Sequence, residues 1–207
     1  MERSDYIAGS KTADDWKSFR TKIDQSNDKN LWEKAYTEYF LERLEKRYFV
    51  PIKLLMENST YQGEGFSIVT IHCSLIEFLE TSIQGLKYKY LKKGQKLSKY
   101  EYSSSKKIFI KFLSSREPFK NHFTKDSARE FYENIRCGLL HEAQTKNGWV
   151  IHGCSSDKKI IDQKQRVVFR NNLQDAFTDF LNIYKHDLLN STDYQAAFIR
   201  KFDSLCN

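Results

Sequence analysis

Ile68-Val69-Thr70-Ile71-His72-Cys73-Ser74-Leu75-Ile76-Glu77-Phe78-Leu79-Glu80-Thr81-Ser82-Ile83-Gln84-Gly85-Leu86 decides the fold class of this 207-residue chain. Ile68, Ile71, Leu75, Leu79, Ile83 and Leu86 recur every three or four residues, the spacing at which an α-helix returns to one face. The stretch predicts a long helix at the centre of the core. Gly63 and Gly65 mark a loop before it.

Upstream, Trp16, Phe19 and Ile23 predict a first helix over about 14–23. Asn30 is positioned to cap a longer one carrying Leu31, Ala35, Tyr39, Leu41 and Leu44. Pro51 should kink or end that helix, or begin a new turn through Ile52, Leu55 and Met56. Downstream, the segment near 87–107 reads as a loop or a frayed helix extension. A short amphipathic piece, Ile108 to Leu113, follows it. Beyond Pro118, Thr124 can cap a helix bearing Phe131, Ile135, Leu139 and Leu140, with Asp126 in its first turn. Asn147-Gly148 breaks that pattern. Trp149-Val150-Ile151 and Ile160-Ile161 predict a small β-hairpin near 149–162. Val168, Leu173, Phe177, Phe180, Leu181 and Tyr184, then Tyr194, Phe198 and Phe202, return to helical spacing. The expectation is one all-α domain over 1–207 with a single small hairpin.

Composition agrees. Eight glycines and two prolines are too few for collagen-like, low-complexity or turn-rich sandwich classes. Apolar runs such as Phe66 to Ile71 are too short for a membrane span, and Met1 to Lys11 is polar, with no secretory h-region. A cytoplasmic protein with no membrane partner is therefore expected. Cys73, Cys137, Cys154 and Cys206 lack paired spacing and read as buried thiols and not as a disulfide framework. His141, His152 and Cys154 show no recognised zinc spacing, so neither metal nor cofactor is expected.

The net charge of +7 is concentrated. Between Gly85 and Lys111 stand nine lysines and one acid, Glu101, so the rest of the chain is close to neutral. Tyr88, Tyr90, Tyr100 and Tyr102 interleave with the lysines of this patch, which include Lys92, Lys93 and Lys96. Lysines neutralise phosphates and tyrosines offer stacking faces, a combination suited to single-stranded RNA. A solvated loop is the competing reading of the same residues.

The segment Phe131-Tyr132-Glu133-Asn134-Ile135-Arg136-Cys137-Gly138-Leu139-Leu140-His141-Glu142 places Arg136 and His141 with four residues between them, late in a predicted helix. Histidine moves protons near neutrality, and arginine holds a phosphate through two parallel hydrogen bonds. The pair resembles the R-x4-H signature of HEPN domains, all-α proteins of which many are metal-independent ribonucleases. The likeness extends to helix order over about residues 30–190, but its specific match is this short motif. The resemblance implies a homodimer whose composite site joins Arg136 and His141 of both chains. It implies RNA as substrate, 2′-hydroxyl attack leaving a 2′,3′-cyclic phosphate, and a defence or toxin role with an antitoxin or regulatory partner. Glu77, Asn134 and Glu142 would support the site, with Lys146 beside Lys92, Lys93 and Lys96 as an RNA contact. Glu77 and Glu80 lie where family members often carry polar residues facing the site; a solvated helix face is the alternative. Two departures stand out: Cys137 follows Arg136 where many active members carry a polar residue, and Ala143 occupies a position that is Tyr in one toxin subgroup. A non-catalytic module binding RNA or a nucleotide, and a helical interaction subunit, are the other readings.

Overall fold

The computed structural model describes residues 6–26, 28–60 and 62–206, so residues 1–5 of the polar N-terminal stretch lie outside the described residues. Helix predominates, with minor β-structure. The helices are α1 (Ala13–Gln25), α2 (29–57), α3 (Glu64–Gln84), α4 (Ser105–Ser115), α5 (125–142), α6 (Arg170–Asn190) and α7 (Thr192–Leu205). Short strands are β1 (Tyr6–Ala8), β2 (Lys11–Thr12), β3 (Lys87–Tyr88), β4 (Glu101–Tyr102), β5 (Val150–His152), β6 (Ile161–Asp162) and β7 (Val167–Phe169). The chain forms two compact units: 1–51 with 81–103 and 184–207, and 52–80 with 104–183.

In the first unit, β1 and β2 pair antiparallel ahead of α1. Thr12 caps α1, accepting from Asp15 N–H while Asp15 accepts from Thr12 N–H. Trp16, Tyr39, Phe40, Phe198 and Phe202 pack as an aromatic core, and Trp16 Nε1 donates to Asp203 at 2.7 Å. Asp28, not Asn30, caps α2, because its carboxylate reaches the Asn30 N–H at 2.9 Å. Pro51 does not end α2. A widened π-turn at Glu45–Phe49 sends the Val50 N–H back to Glu45 O and absorbs the proline, whose missing N–H would break a regular turn. At the end of α3, Gly85 adopts φ +64, and Leu86 N–H closes on Thr81 O at 2.8 Å. A Cβ there would lie 2.7 Å from Ala197 O, so only glycine fits.

In the second unit, α3 is buried on more than one stripe: Val69, His72, Cys73 and Ile76 are buried beside Ile68, Leu75 and Leu79. By length and composition α3 is long and apolar enough to cross a membrane, which the short Phe66 to Ile71 run did not suggest. Most of it is buried against protein, as in a core helix. Phe112, Phe119 and Phe177 form the aromatic centre.

The predicted hairpin is re-paired. β5 runs parallel to β7, and β6 pairs antiparallel with β7, so Trp149–Ile151 and Ile160–Ile161 do not partner each other. Val168 belongs to β7 and not to the helix that follows. The turn before β7 brings Arg166 to φ +56, with Gln165 N–H on Asp162 Oδ1, and adjacent buried Val167 and Val168 favour an extended chain.

His72 is fully buried; its Nε2 lies 2.8 Å from Gln174 Oε1 and its ring stands against Phe177. Burial pushes its pKa down from 6.5 to about 4, with the Gln174 hydrogen bond opposing. Below pH 6.5 the unfolded chain takes up this proton and the folded chain does not. Stability from this group is present above 6.5 and falls as pH drops toward 4, by about 3 kcal/mol in all. His72→Gln should flatten that part of the stability profile in urea titrations. A profile as steep as wild type would assign the acid sensitivity to other groups.

Candidate active site

Thr124 caps α5 as expected, accepting from Ser127 N–H at 3.1 Å while Ser127 Oγ accepts from Thr124 N–H at 2.9 Å. The helix then widens into a π-turn over Tyr132–Arg136, with Cys137 N–H bonded to Tyr132 O. Such turns re-aim side chains and occur often at functional sites. Arg136 ends the turn half-buried, its guanidinium 5.2 Å from the Tyr132 ring centre. Glu133, a natural partner by sequence, pairs with Lys106 at 2.6 Å. Among the described residues no carboxylate lies within ion-pair distance of Arg136. Its charge is felt instead by Cys73 and Tyr132. Burial pushes both of their pKa values up, and Arg136 partly offsets the rise.

Glu77 accepts from Ser105 Oγ at 2.8 Å and faces the Tyr132 neighbourhood. Glu80 is wholly buried on Arg116, which removes the solvated-face reading for that residue.

His141 is exposed in the last turn of α5. The helix ends where Ala143 turns left-handed at φ +52 and its N–H reaches Gly138 O. The chain doubles back so closely that a Cβ on Gly138 would lie 2.4 Å from Gln144 O. Asn134 is buried and secures this return: its backbone O accepts Lys146 N–H at 2.9 Å, and its Oδ1 accepts Asn147 Nδ2 at 2.8 Å. Asn147 and Gly148 both have positive φ, and Trp149 N–H closes the turn on Lys146 O. Asn134 therefore positions the return loop. Leu139 is buried but Leu140 is 54% exposed, so only the first of these leucines fills the core.

From Arg136 to His141 the helix is regular, so the two point about 140° apart with a rise of about 7.5 Å. The π-turn ends at Arg136 and does not close that angle. No contact joins the pair within one chain. Glu142 and Lys146 meet each other at 2.6 Å, and that hydrogen bond holds Glu142 below the usual carboxylate range. Lys146 is thus already engaged.

In the other unit, the lysine segment is a loop closed by a parallel bridge of β3 and β4 and not a helix extension. Tyr88 and Tyr102 meet edge-on at 5.5 Å, and Lys89 pairs with Glu101 at 2.9 Å. Lys92, Lys93 and Lys96 are exposed on it without carboxylate partners among the described residues, whereas Lys106 and Lys111 lie on α4 in ion pairs. Arg200, from α7, stacks on Tyr100 at 4.1 Å. Nothing in sequence links residues a hundred positions apart, so this cation escaped a reading by pattern.

His152 and Cys154 line a cleft with Arg170, and His141 is not among its lining residues. No group of three or more His, Cys, Asp or Glu side chains is placed to hold a metal ion among the described residues. No family model, no curated protein and no solved structure matches this chain.

Proposed function

We propose that the protein is a HEPN-like, metal-independent endoribonuclease acting as a homodimer, with Arg136 and His141 as its reacting pair. The observation that carries the reading is the state of Arg136: a half-buried cation at a π-turn, resting on Tyr132 with no acid to neutralise it among the described residues. Such a guanidinium is ready for a phosphate. His141 is exposed, so its imidazole is within reach of a bound substrate.

The 140° between them makes a two-chain site the natural arrangement, since a two-fold axis repeats each residue across one cleft. Exposed Leu140, adjacent to His141, supplies an apolar contact for such an axis. RNA cleavage by the purified protein in EDTA, lost in His141→Ala and accompanied by a dimer mass in solution, is the expected result. A cleaving monomer would overturn the composite site, and absence of cleavage would overturn the enzyme.

A non-catalytic RNA-binding module is the second reading, favoured by the Tyr100–Arg200 stack and by exposed Lys92, Lys93 and Lys96 on the same loop as Tyr100, which have no carboxylate partner among the described residues. If Lys92, Lys93 and Lys96 bind phosphates, changing all three to Gln should weaken RNA binding and flatten the slope of log affinity against log salt. The slope should fall by about 2 for single-stranded RNA, at about 0.7 per phosphate contact. An unchanged slope would return the loop to a solvated role. Binding retained without cleavage would select the module over the enzyme.

A further inference from the structure

The second unit holds a cleft of about 540 Å3 that shares no residue with Arg136 or His141. Gly63, Glu64, Gly65 and Phe66 form one wall, Ile151 to Cys154 the other, and Arg170 completes the lining. Its size suits a small organic ligand.

The charges inside it are unequal. Glu64 is already satisfied, accepting the backbone N–H groups of Thr60 and Gln62 and the Thr60 hydroxyl, which together hold its carboxyl down to about 2. Arg170 has no such partner. It is half-buried, pairs with no acid among the described residues, and its Nε is buried with nothing to accept from it. A buried N–H without an acceptor is costly unless a ligand supplies one, and the rest of this half-buried fork stays open to an anion.

The surroundings make room for that guanidinium. A Cβ on Gly65 would stand 3.0 Å from Arg170 Nη1 and 3.2 Å from Ile151 Cγ2. Beside the cation lie an apolar wall, Ile151 and the 39% exposed Phe66, and the imidazole of His152.

We propose that this cleft binds a small organic anion, its carboxylate or phosphate head on the Arg170 fork and its apolar body against Phe66 and Ile151. A planar oxyanion matches the parallel donors of arginine, and a ring or short chain would cover the apolar wall.

Cys154 is exposed in the same lining and reports occupancy. Alkylation forms a carbon–sulfur bond at its thiolate and expels iodide, the thiol proton passing to solvent. The full-length protein is treated with anionic iodoacetate or neutral iodoacetamide, and modification of Cys154 is compared with that of Cys206 by peptide mass spectrometry. Phenyl phosphate, benzoate and uncharged benzyl alcohol are added as competitors.

Phenyl phosphate or benzoate should protect Cys154 saturably and spare Cys206, with benzyl alcohol ineffective; the better of the two anions identifies the head group. In Arg170→Gln the protecting concentration should rise at least about tenfold, the loss expected for a charge-assisted hydrogen bond. The preference of Cys154 for iodoacetate over iodoacetamide should fall as well. Should Arg170→Gln fail to fold, Gly65→Ala, which crowds the guanidinium, and Phe66→Ala, on an exposed ring, carry the test. Protection by benzyl alcohol equal to that by the anions would overturn the proposal. So would no protection by either anion, or protection unchanged in the folded variants.

Discussion

Arg116→Ala should lower the stability of the protein by about 3–5 kcal/mol, as measured by urea unfolding at neutral pH. The reason is Glu80, whose side chain is wholly buried in the second unit. Arg116 Nε donates to Glu80 Oε2 at 2.8 Å and its Nη2 to Oε1 at 2.9 Å, a fork on both carboxylate oxygens, while Lys111 stands farther off at 3.6 Å. Removing the fork leaves a buried carboxylate facing a partly solvated ammonium. Arg116→Lys should recover part of the loss, because it keeps the charge and loses the planar geometry. Glu80→Leu with Arg116→Leu should be far less harmful than Arg116→Ala alone, since an apolar pair leaves no buried charge and the Lys111 ammonium is half-exposed to water. A loss under about 1 kcal/mol in Arg116→Ala would mean that the other contacts of Glu80, Lys111 among them, suffice for it.

Arg136→Ala and His141→Ala should each reduce RNA cleavage by at least about a hundredfold, and the double variant should be scarcely worse than either. Both groups act on one phosphate in the proposed site, so losing either empties the same transition state of its stabilisation. Arg136→Lys should fail nearly as badly, because an ammonium cannot present two parallel donors. Folding should survive in all four. His141 is exposed, and the Arg136 guanidinium rests on Tyr132, a contact worth about 0.5–1 kcal/mol, with no ion pair among the described residues. Thermal midpoints near wild type with cleavage gone would separate chemistry from packing. Full activity in His141→Ala, or variants that unfold, would turn the motif into a structural feature of α5.

Much of the helical layout was legible because its signals are local. The period of Ile68 to Ile83, the Thr124 cap and the Asn147-Gly148 break depend on residues within a turn or two of each other. Legibility stopped where partners come from afar. The continuation of α2 through Pro51 depends on a π-turn, which has no spacing signature of its own. The pairing of β5 with β7 joins residues on opposite sides of β6, and a parallel partner cannot be read from a turn. Glu80 carried the pattern of a helix face, yet it is buried because Arg116 reaches it from beyond α4.

The candidate site divides along the same line. By itself the sequence determined a mostly helical chain, the spacing of Arg136 and His141, and the concentration of lysines between 87 and 111, because each is a matter of residue type and short-range order. Only the tertiary structure decided which charges are already spent. Lys106 on Glu133, Lys146 on Glu142 and Arg116 on Glu80 are neutralised, whereas Arg136 and Arg170 have no acidic partner among the described residues. Charge compensation is set by distance in space and by the loss of water around each group, and neither quantity follows from distance along the chain.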